Sequence, residues 1–422
     1  MTTATTLPAW FTARQQAAQT RYESFPTPRR GDEEWRFANF KQLDFTGFDK
    51  AQRSAGFSRP EALVSRSTGL EAPAAKFIFR NDTLVSSDSN NLPEGVICLP
   101  LAEALVSHGD LVEAHFMKQE TRLGSAKYAA WHEANVSNGM FILVPKNVEV
   151  DGVIEVHHWI DGANTVIFPH TLIVTEAHAK VRVVDIFRST TELDPGVAVA
   201  FNDLCAGPGS SLDYVAVQAL NEVTRVIQIN ETSAARDANA KGFILNTGAS
   251  WARNESLSRL EGPGSHSDML SISIPAREQE YDQRTFQHHV SEGAYSDLLY
   301  KNTLYDHAKT IFSGLIFVDE RAHHTDAYQT CRNLLMSDTA EANSMPGLEI
   351  NADQVKCSHG STSAQIHDDE IFYLRARGID PARARQLIAL GFSIEVLERI
   401  GHEGLETLLL TFIEAKMTGL TC

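Results

Sequence analysis

The sequence lacks the features of secreted, membrane-spanning and nucleic-acid-binding proteins. Its five cysteines, among 422 residues, are odd in number and form no Cys-x-x-Cys pair, which favours reduced thiols over disulfides or a self-contained zinc or four-cysteine cluster. No run of about 18 apolar residues could span a bilayer, and residues 1–20 lack the basic and apolar segments of a secretion signal. Acidic residues outnumber basic ones by 54 to 37, and the net charge of −17 would repel phosphate backbones. We therefore expect a cytoplasmic protein without nucleic-acid or membrane partners.

Several catalytic and nucleotide-binding motifs are also missing. The chain contains no GxxxxGK[ST] phosphate loop, no GxGxxG dinucleotide loop, no GxSxG nucleophile turn and no HExxH zinc helix. If ATP hydrolysis is needed for its function, we expect a partner chain to supply it.

The composition, 43% hydrophobic and 22% charged, is that of an ordinary globular protein. A chain of this length exceeds one conventional core, so either two or three structural units or an elongated repeat is expected. Residues 1–136 mix helical and irregular signals, residues 137–365 carry short β segments, and residues 366–422 are helical.

Residues 1–136 form the predicted N-terminal region. Apolar spacing predicts a helix in PAWFTARQQAAQTRY, two short helices in LAEALVSHGDLVEAHF and a further helix in KYAAWHEANVSNG that closes at Gly139. KFIFRNDTLV predicts a hairpin around Asn81 and Asp82.

Residues 137–365 predict a mainly β core. Segments such as MFILVP, TLIVTE and KVRVVDIF alternate or run apolar over five to seven residues, with almost nothing helical between them. The phrase Gly-Pro-Gly-Ser begins at Gly207 and again at Gly262, each time ahead of an alternating strand, which indicates a weak internal repeat. Stacked coils of a parallel β-helix, or solenoid, fit this pattern best, with a pair of β-sandwiches as the alternative.

Residues 366–422 predict a small helical module. HDDEIFYLRARG begins with acidic residues and stops at Gly378. Asp380 is the predicted N-cap of the next helix, with Pro381 in its first turn and Gly391 as its stop. Ser393 is the predicted cap of a third helix, and GLETLLLTFIEAKM forms the last one.

We expect structural roles for most of the titratable residues that occur in pairs or near strands. Adjacent residues on a strand point to opposite faces and cannot easily share a metal, so each histidine pair should have one packed and one solvated ring. These pairs are His157-His158, His288-His289 and His323-His324. Four aspartates near strands are candidates for acid–base chemistry, but turn and strand-edge roles are favoured for them: Asp203, Asp213, Asp268 and Asp297.

Cys357 and His359 are different because residues two apart on an extended segment project to one face. Their side chains would lie about 6.5–7 Å apart along a strand. A thiolate beside an imidazole can bind iron, zinc or sulfur species when other groups complete the ligand set, and Lys356, if close, would lower the pKa of the thiol. A buried, inert cysteine beside a hydrogen-bonded histidine is the alternative on these residues alone.

Three segments resemble the SufB/SufD family of iron–sulfur cluster assembly proteins. The most specific is LEINADQVKCSHGSTSAQIHDDEIFYLRARGI, which spans Leu348 to Ile379, and TDAYQTCRNLLMSDTAEANSMP and DEEWRFANF support it. Within the family the chain is more similar to SufD than to SufB, because Gly360 follows the histidine where SufB-like chains usually have glutamate.

The resemblance implies a right-handed parallel β-helix flanked by N-terminal and C-terminal helical regions. It also implies a non-catalytic scaffold that acts with a SufB-like paralogue and two copies of a SufC-like ATPase, with sulfur supplied indirectly by a cysteine desulfurase. Cys357 and His359 match the family's Cys-Ser-His positions at the paralogue interface, where a transient iron–sulfur cluster is expected. The chain alone is expected to bind no cofactor, and reduced flavin is a candidate in the complex. The helices that match the ATPase-docking region include Phe372, Tyr373, Arg375 and Arg377.

Two other functions remain open. Parallel β-helices often act on polysaccharides, although the missing secretion signal and the absence of an evident row of exposed aromatics argue against a carbohydrate-active enzyme. A homodimeric interaction protein without a metal role is the other alternative, and a homodimer in isolation is also compatible with the scaffold role.

Overall fold

The computed structural model describes residues 7–50 and 60–420. The chain is mainly β, with 41% strand and 24% helix, and its centre is a parallel β-solenoid of about eight turns with helices at both ends. This confirms the predicted β-helix and excludes the pair of sandwiches. None of the helices in the two described ranges is long and apolar enough to cross a membrane.

Two sheets run along the solenoid, and each coil contributes one strand to each sheet. Sheet A has the order β20-β18-β16-β14-β12-β10-β8-β5-β4, with β7 beside β10 and β1 beside β7. Its strands are β1 (Asp49–Lys50), β4 (Ile97–Pro100), β5 (Gly139–Val144), β7 (Thr165–Ile167), β8 (His170–Thr175), β10 (Gly196–Ala206), β12 (Arg225–Ala234), β14 (Trp251–Leu260), β16 (Glu280–His289), β18 (Lys309–Val318) and β20 (Glu341–Ile350).

Sheet B has the order β21-β19-β17-β15-β13-β11-β9-β6-β2-β3. Its strands are β2 (Ala75–Arg80), β3 (Thr83–Asp88), β6 (Ile154–Ile160), β9 (Lys180–Ser189), β11 (Ser211–Ala219), β13 (Asn239–Asn246), β15 (His266–Ser273), β17 (Tyr295–Leu304), β19 (Asp326–Leu335) and β21 (Lys356–Gln365). β2 and β3 form the predicted antiparallel hairpin at Asn81 and Asp82. β3 is the edge strand of sheet B at the end opposite β21.

Parallel pairing in register stacks side chains into columns along the solenoid axis. Partners in adjacent coils are about 30 positions apart, as with Asn202 and Asn230, whose side-chain amides are hydrogen-bonded at 2.7 Å. Alternate residues of each strand point into the lumen between the sheets, and the others point outward. A residue's place in this alternation therefore decides whether it faces the lumen or the outer layers.

The predicted repeat corresponds to tight turns between strands. Both Gly-Pro-Gly-Ser phrases are turns immediately before β11 and β15, and Gly209 and Gly264 have φ of 64° and 70°. Asp237, Arg277 and Asp306 take the same left-handed conformation in other turns, with φ of 53° to 55°. The geometry repeats more faithfully than the residues, which explains why the repeat is weak in the sequence.

The N-terminal helices cover the outer face of sheet A. Phe11, Leu105, Val112 and Tyr128 pack in one apolar cluster with outward-facing residues of β5, β8 and β10. The helices, all close to their predicted positions where a helix was predicted, are α1 (Ala9–Ser24), α2 (Pro60–Arg66), α3 (Leu101–Ser107), α4 (Gly109–His115) and α5 (Ala126–Asn135). α5 ends at Asn135, and Gly139 begins β5 rather than closing the helix.

A buried ionic network fixes the DEEWRFANF segment to sheet A. The fully buried Arg253 forms 2.6 Å ion pairs with Glu255 and Asp282, and it donates to the carbonyl oxygen of Glu34 at 2.9 Å. Its guanidinium also lies 3.6 Å from the centre of the Trp35 ring. These contacts make the segment part of the fold rather than a separate arm.

The C-terminal helices lie on the outer face of sheet B and are α6 (Asp368–Arg375), α7 (Pro381–Leu397) and α8 (Glu403–Thr418). Asp380 caps α7 as predicted. The predicted stop at Gly391 is wrong, because α7 continues through it and ends before Gly401, whose φ is 69°. Ser393 is not a cap either, since its buried hydroxyl donates to Ala389 within the same helix. Apolar packing of α7 on the sheet outweighs the roughly 1 kcal/mol helix cost of one glycine.

Candidate functional site

The solenoid ends in an open coil formed by β20 and β21. Within residues 7–50 and 60–420, β20 is the last strand of sheet A and β21 is the last strand of sheet B, so each pairs with described strands on one side only. Most residues of β21 are exposed and those of β20 are partly exposed, in contrast to the buried strands before them. Two ten-residue strands therefore present free edges at the same end of the molecule.

Cys357 and His359 lie on β21 and face the lumen side of this open coil. Cys357 pairs in register with Ala327, and His359 pairs with Gln329. Ala327 and Gln329 are buried in the lumen, so the residues stacked on them share that direction. Because no further coil covers them, Cys357 is half-buried and His359 is exposed. The alternation places both residues on one face, as the sequence predicts.

Cys357 is partly packed. It lies against an apolar cluster that includes Ile316, Val318, Leu348 and Val355. Burial, and secondarily the charge of Asp326, raise the pKa of its thiol above the ordinary value. The expected lowering by Lys356 is wrong, because loss of water and a neighbouring carboxylate both disfavour the thiolate.

The opposite wall of the open coil belongs to β20. No residue of β20 was predicted from the sequence to be part of the site. Ser344, Pro346 and Leu348 continue the lumen-facing columns of β18, in register with Phe312, Gly314 and Ile316. A proline within a strand marks an edge strand, and this signal could have located the wall.

The pair cannot complete a metal site alone. In residues 7–50 and 60–420, no three His, Cys, Asp or Glu side chains come together as a group that could hold a metal. Iron and zinc sites in proteins commonly use four protein ligands when closed. His359, with Cys357 beside it, can therefore contribute at most part of a ligand set.

The four predicted docking residues lie on or just after α6. Phe372 and Tyr373 are 70% and 57% exposed, whereas Ile371 is buried and anchors the helix. Arg375 and Arg377 are also exposed, and the Arg377 guanidinium lies 3.5 Å from the centre of the Tyr373 ring. Exposed aromatic and arginine side chains in one patch are typical of interface hot spots. Their role in partner binding stays a prediction.

The members of the first two histidine pairs point to opposite sides of their strands, but the expectation of one solvated ring is wrong for both pairs. The third pair lies in the turn before β19 and not on a strand. His157 bonds to Glu155 at 2.7 Å, while His158 stacks between Phe79 and Phe187. Both rings are buried because β6 is covered on both faces, and His288 and His289 are buried likewise. In the third pair, His323 is partly exposed and His324 is exposed.

The four aspartates have structural partners. Asp203 accepts from the backbone of Met117, and Asp213 pairs with Arg182 at 3.1 Å. Asp268 and Asp297 are cross-strand neighbours on the outer face of sheet B, and Arg399 bridges them at 2.9 and 2.8 Å. This bridge attaches the C-terminal helices to the solenoid, in keeping with the favoured structural role.

Comparison with protein families agrees with this architecture. Residues 158–392 match the family model described as SUF system FeS cluster assembly, SufBD core domain. Residues 3–156 match the SufBD protein N-terminal region. The first match covers the solenoid beyond its first coil together with α6 and most of α7.

Curated relatives give the same assignment. The chain is 26% identical over 418 residues to the iron–sulfur cluster assembly protein SufD of Bacillus subtilis, covering 97% of this chain and 94% of that protein. It is 32% identical over 259 residues to SufD of Escherichia coli, with 61% of each chain covered. Identity to SufB of Bacillus subtilis is 23% over 299 residues, covering 71% of this chain and 64% of that protein. The chain belongs to the SufBD family of iron–sulfur cluster assembly proteins.

Proposed function

We propose that the chain is a non-catalytic scaffold subunit whose open coil pairs with the solenoid of a SufB-like paralogue. His359, with Cys357 beside it, would then contribute to a site where a nascent iron–sulfur cluster is held as cargo. The position of His359, exposed in the lumen-facing row of an uncovered coil, is the observation that carries this proposal.

The free edges support pairing with another solenoid. β20 and β21 have unpaired backbone N–H and C=O groups along one side, which a strand from another chain can satisfy by β-augmentation. β21 carries mainly small polar residues, KCSHGSTSAQ, and apart from Lys356 it lacks the charges and prolines that usually protect an exposed edge. A partner with the same coil geometry would extend both sheets at once.

The incomplete ligand set supports a shared site. A thiol and an imidazole from this chain leave positions that a facing coil could fill with its own ligands. The raised pKa of the Cys357 thiol favours His359 as the principal ligand, because iron binds the thiolate rather than the thiol.

The helix α6 is the proposed docking site for a SufC-like ATPase. The patch of Phe372, Tyr373, Arg375 and Arg377 is exposed and lies just after β21, so a bound ATPase would sit close to the open coil. Replacement of Phe372 and Tyr373 by alanine should abolish co-purification of the ATPase. Leu193→Ala, which removes an 85% exposed leucine from the turn between β9 and β10, is the matched control.

Substitution of His359 tests the cargo site. The His359→Ala complex should assemble with its paralogue and ATPase but should accumulate little cluster, measured as protein-bound iron and sulfide after anaerobic reconstitution. His307→Ala removes an exposed histidine from a turn elsewhere on the solenoid and should leave the cluster yield unchanged. A normal yield from the His359→Ala complex would contradict the proposal.

A homodimer through the same open coil is the second candidate, because identical free edges can also pair with each other. The oligomeric state of the pure chain, with and without the paralogue, separates the two. If the homodimer and the complex with the paralogue both use β20 and β21, adding the paralogue should dissociate the homodimer. The core-domain description that matches residues 158–392 refers to FeS cluster assembly, which favours the scaffold role over action on carbohydrates.

A further inference from the structure

Gln329 lies directly beneath His359 and has no hydrogen-bond partner for its amide. The two residues are register partners in β19 and β21, on the lumen side of the sheet. Gln329 is only 1% exposed, and both its Oε1 and its Nε2 lack partners in the structure. The other lumen-facing amide of this strand, Asn333, donates instead to Thr362 and Ser363 of β21.

The fold leaves space for the Gln329 side chain to cross the lumen. A Cβ at Gly314, on the opposite wall, would collide with Gln329 Nε2 and with Thr285 Oγ1. Thr285 Oγ1 is likewise buried without a partner. In the last coil, Pro346 is the register partner of Gly314, and His359 is the register partner of Gln329. Unpartnered polar atoms of Gln329 and Thr285 therefore lie one coil below the open coil.

Unpaired buried amides are costly, because the lost hydrogen bonds to water are not replaced. Each such exception calls for an explanation, such as a water, an ion or a functional role. His359 is the titratable group one strand away on the same face, and an imidazole that binds metal through one nitrogen usually donates its other N–H to a fixed oxygen.

We propose that Gln329 is a positioning residue for His359, an inference that rests on the proposed function. When a partner covers the open coil, the imidazole turns inward and donates one ring N–H to Gln329 Oε1. This hydrogen bond fixes the tautomer and the ring orientation, and the other ring nitrogen is left to face the cargo. Gln329 itself touches neither iron nor sulfide.

The test uses the complex of the chain with its paralogue, with Co(II) as the metal probe and ¹⁵N-labelled histidine to read the His359 tautomer. Gln329→Leu should weaken Co(II) binding roughly 10- to 100-fold and should leave His359 as a mixture of tautomers. The near-isosteric Gln329→Glu keeps an oxygen acceptor, so His359 should keep the single tautomer that it has with Gln329.

Gln283→Leu is the matched control. Gln283 is fully buried in the lumen on β16, and its Oε1 is also unpaired, but it lies two strands in from the edge. Because Gln283 Nε2 also donates to Ser271 and Ser273, its loss should destabilise the chain at least as much as Gln329→Leu, without changing the His359 tautomer or Co(II) affinity.

The outcomes separate the two proposals. If His359→Ala weakens Co(II) binding while Gln329→Leu behaves like Gln283→Leu, the positioning role is refuted and the cargo site stands. If His359→Ala leaves Co(II) binding unchanged, the cargo site itself is refuted and Gln329 has nothing to position.

Discussion

Arg253 should be the single side chain that contributes most to holding the N-terminal region on the solenoid. Arg253→Met keeps much of the length and apolar volume but removes the charge that joins Glu255 and Asp282. It also removes the donor to the carbonyl oxygens of Glu34 and Leu123, at 2.9 and 2.6 Å. Glu255 and Asp282 belong to sheet A, whereas Glu34 and Leu123 belong to two N-terminal segments packed on that sheet. The substitution therefore acts on the junction between the N-terminal region and the solenoid.

The burial of Arg253 sets the expected loss of stability in Arg253→Met. Arg253 is fully buried, and removal of one partner from a buried ion pair typically costs about 3–5 kcal/mol because the remaining charge stays unpaired. In Arg253→Met, Asp282 still accepts the 2.6 Å hydrogen bond from Arg284, and Glu255 still accepts one from the Ser125 hydroxyl. These remaining hydrogen bonds keep the loss of stability within this range. By contrast, the Arg277–Glu222 pair has a 63% exposed arginine and should contribute about 0–1 kcal/mol.

Amide hydrogen exchange measures this effect locally, without requiring two-state unfolding of a large protein. A loss of 3–5 kcal/mol should accelerate exchange in α5 and in residues 33–39 roughly 100- to 5,000-fold, while β18 and β20 change little. Arg277→Met is the control and should change exchange in these segments less than about fivefold. Equal exchange in Arg253→Met and Arg277→Met would refute the assignment of Arg253 as the central junction.

Two further predictions concern stability. Burial lowers the pKa of His289 from 6.5 to about 3, so between these values the unfolded chain binds a proton that the folded chain does not. The free energy of unfolding should therefore fall on acidification by about 1.4 kcal/mol per pH unit from this group, and urea titrations of His289→Gln should show a pH dependence smaller by one proton. An unchanged slope would contradict this burial effect. Gly391→Ala should stabilise α7 by about 0.5–1 kcal/mol in urea titrations, because an added Cβ meets no atom within 4 Å, and destabilisation would show that the glycine has another role.

The sequence allowed the solenoid to be predicted where apolar alternation was clear. Segments such as β8, β9 and β18 have runs of branched and aromatic residues, and the turns before β11 and β15 keep their glycines. β14 and β16 are harder to recognise as strands from the sequence, because their outward faces carry buried charges, among them Arg253 and Asp282, that resemble solvent-exposed residues until their partners are known. Partners about 30 positions or more away in sequence leave no local signal.

The candidate site was predictable in part for similar reasons. The shared face of Cys357 and His359 follows from strand alternation, which is local. The exposure of that face depends on β21 being the last strand, and the raised pKa of the Cys357 thiol depends on apolar residues from several strands, including Leu348. The helix stop at Gly391 failed because packing on sheet B decides where α7 ends.

The proposed function requires the open coil to bind a homologous solenoid. Hydrogen exchange of the backbone amides in β20 (Glu341–Ile350) and β21 (Lys356–Gln365) tests it most directly, in the chain alone and with its SufB-like paralogue. We expect fast exchange along the free edges of the isolated chain and strong protection of both strands in the complex. Protection elsewhere, with both edge strands still exchanging as in the free chain, would contradict it.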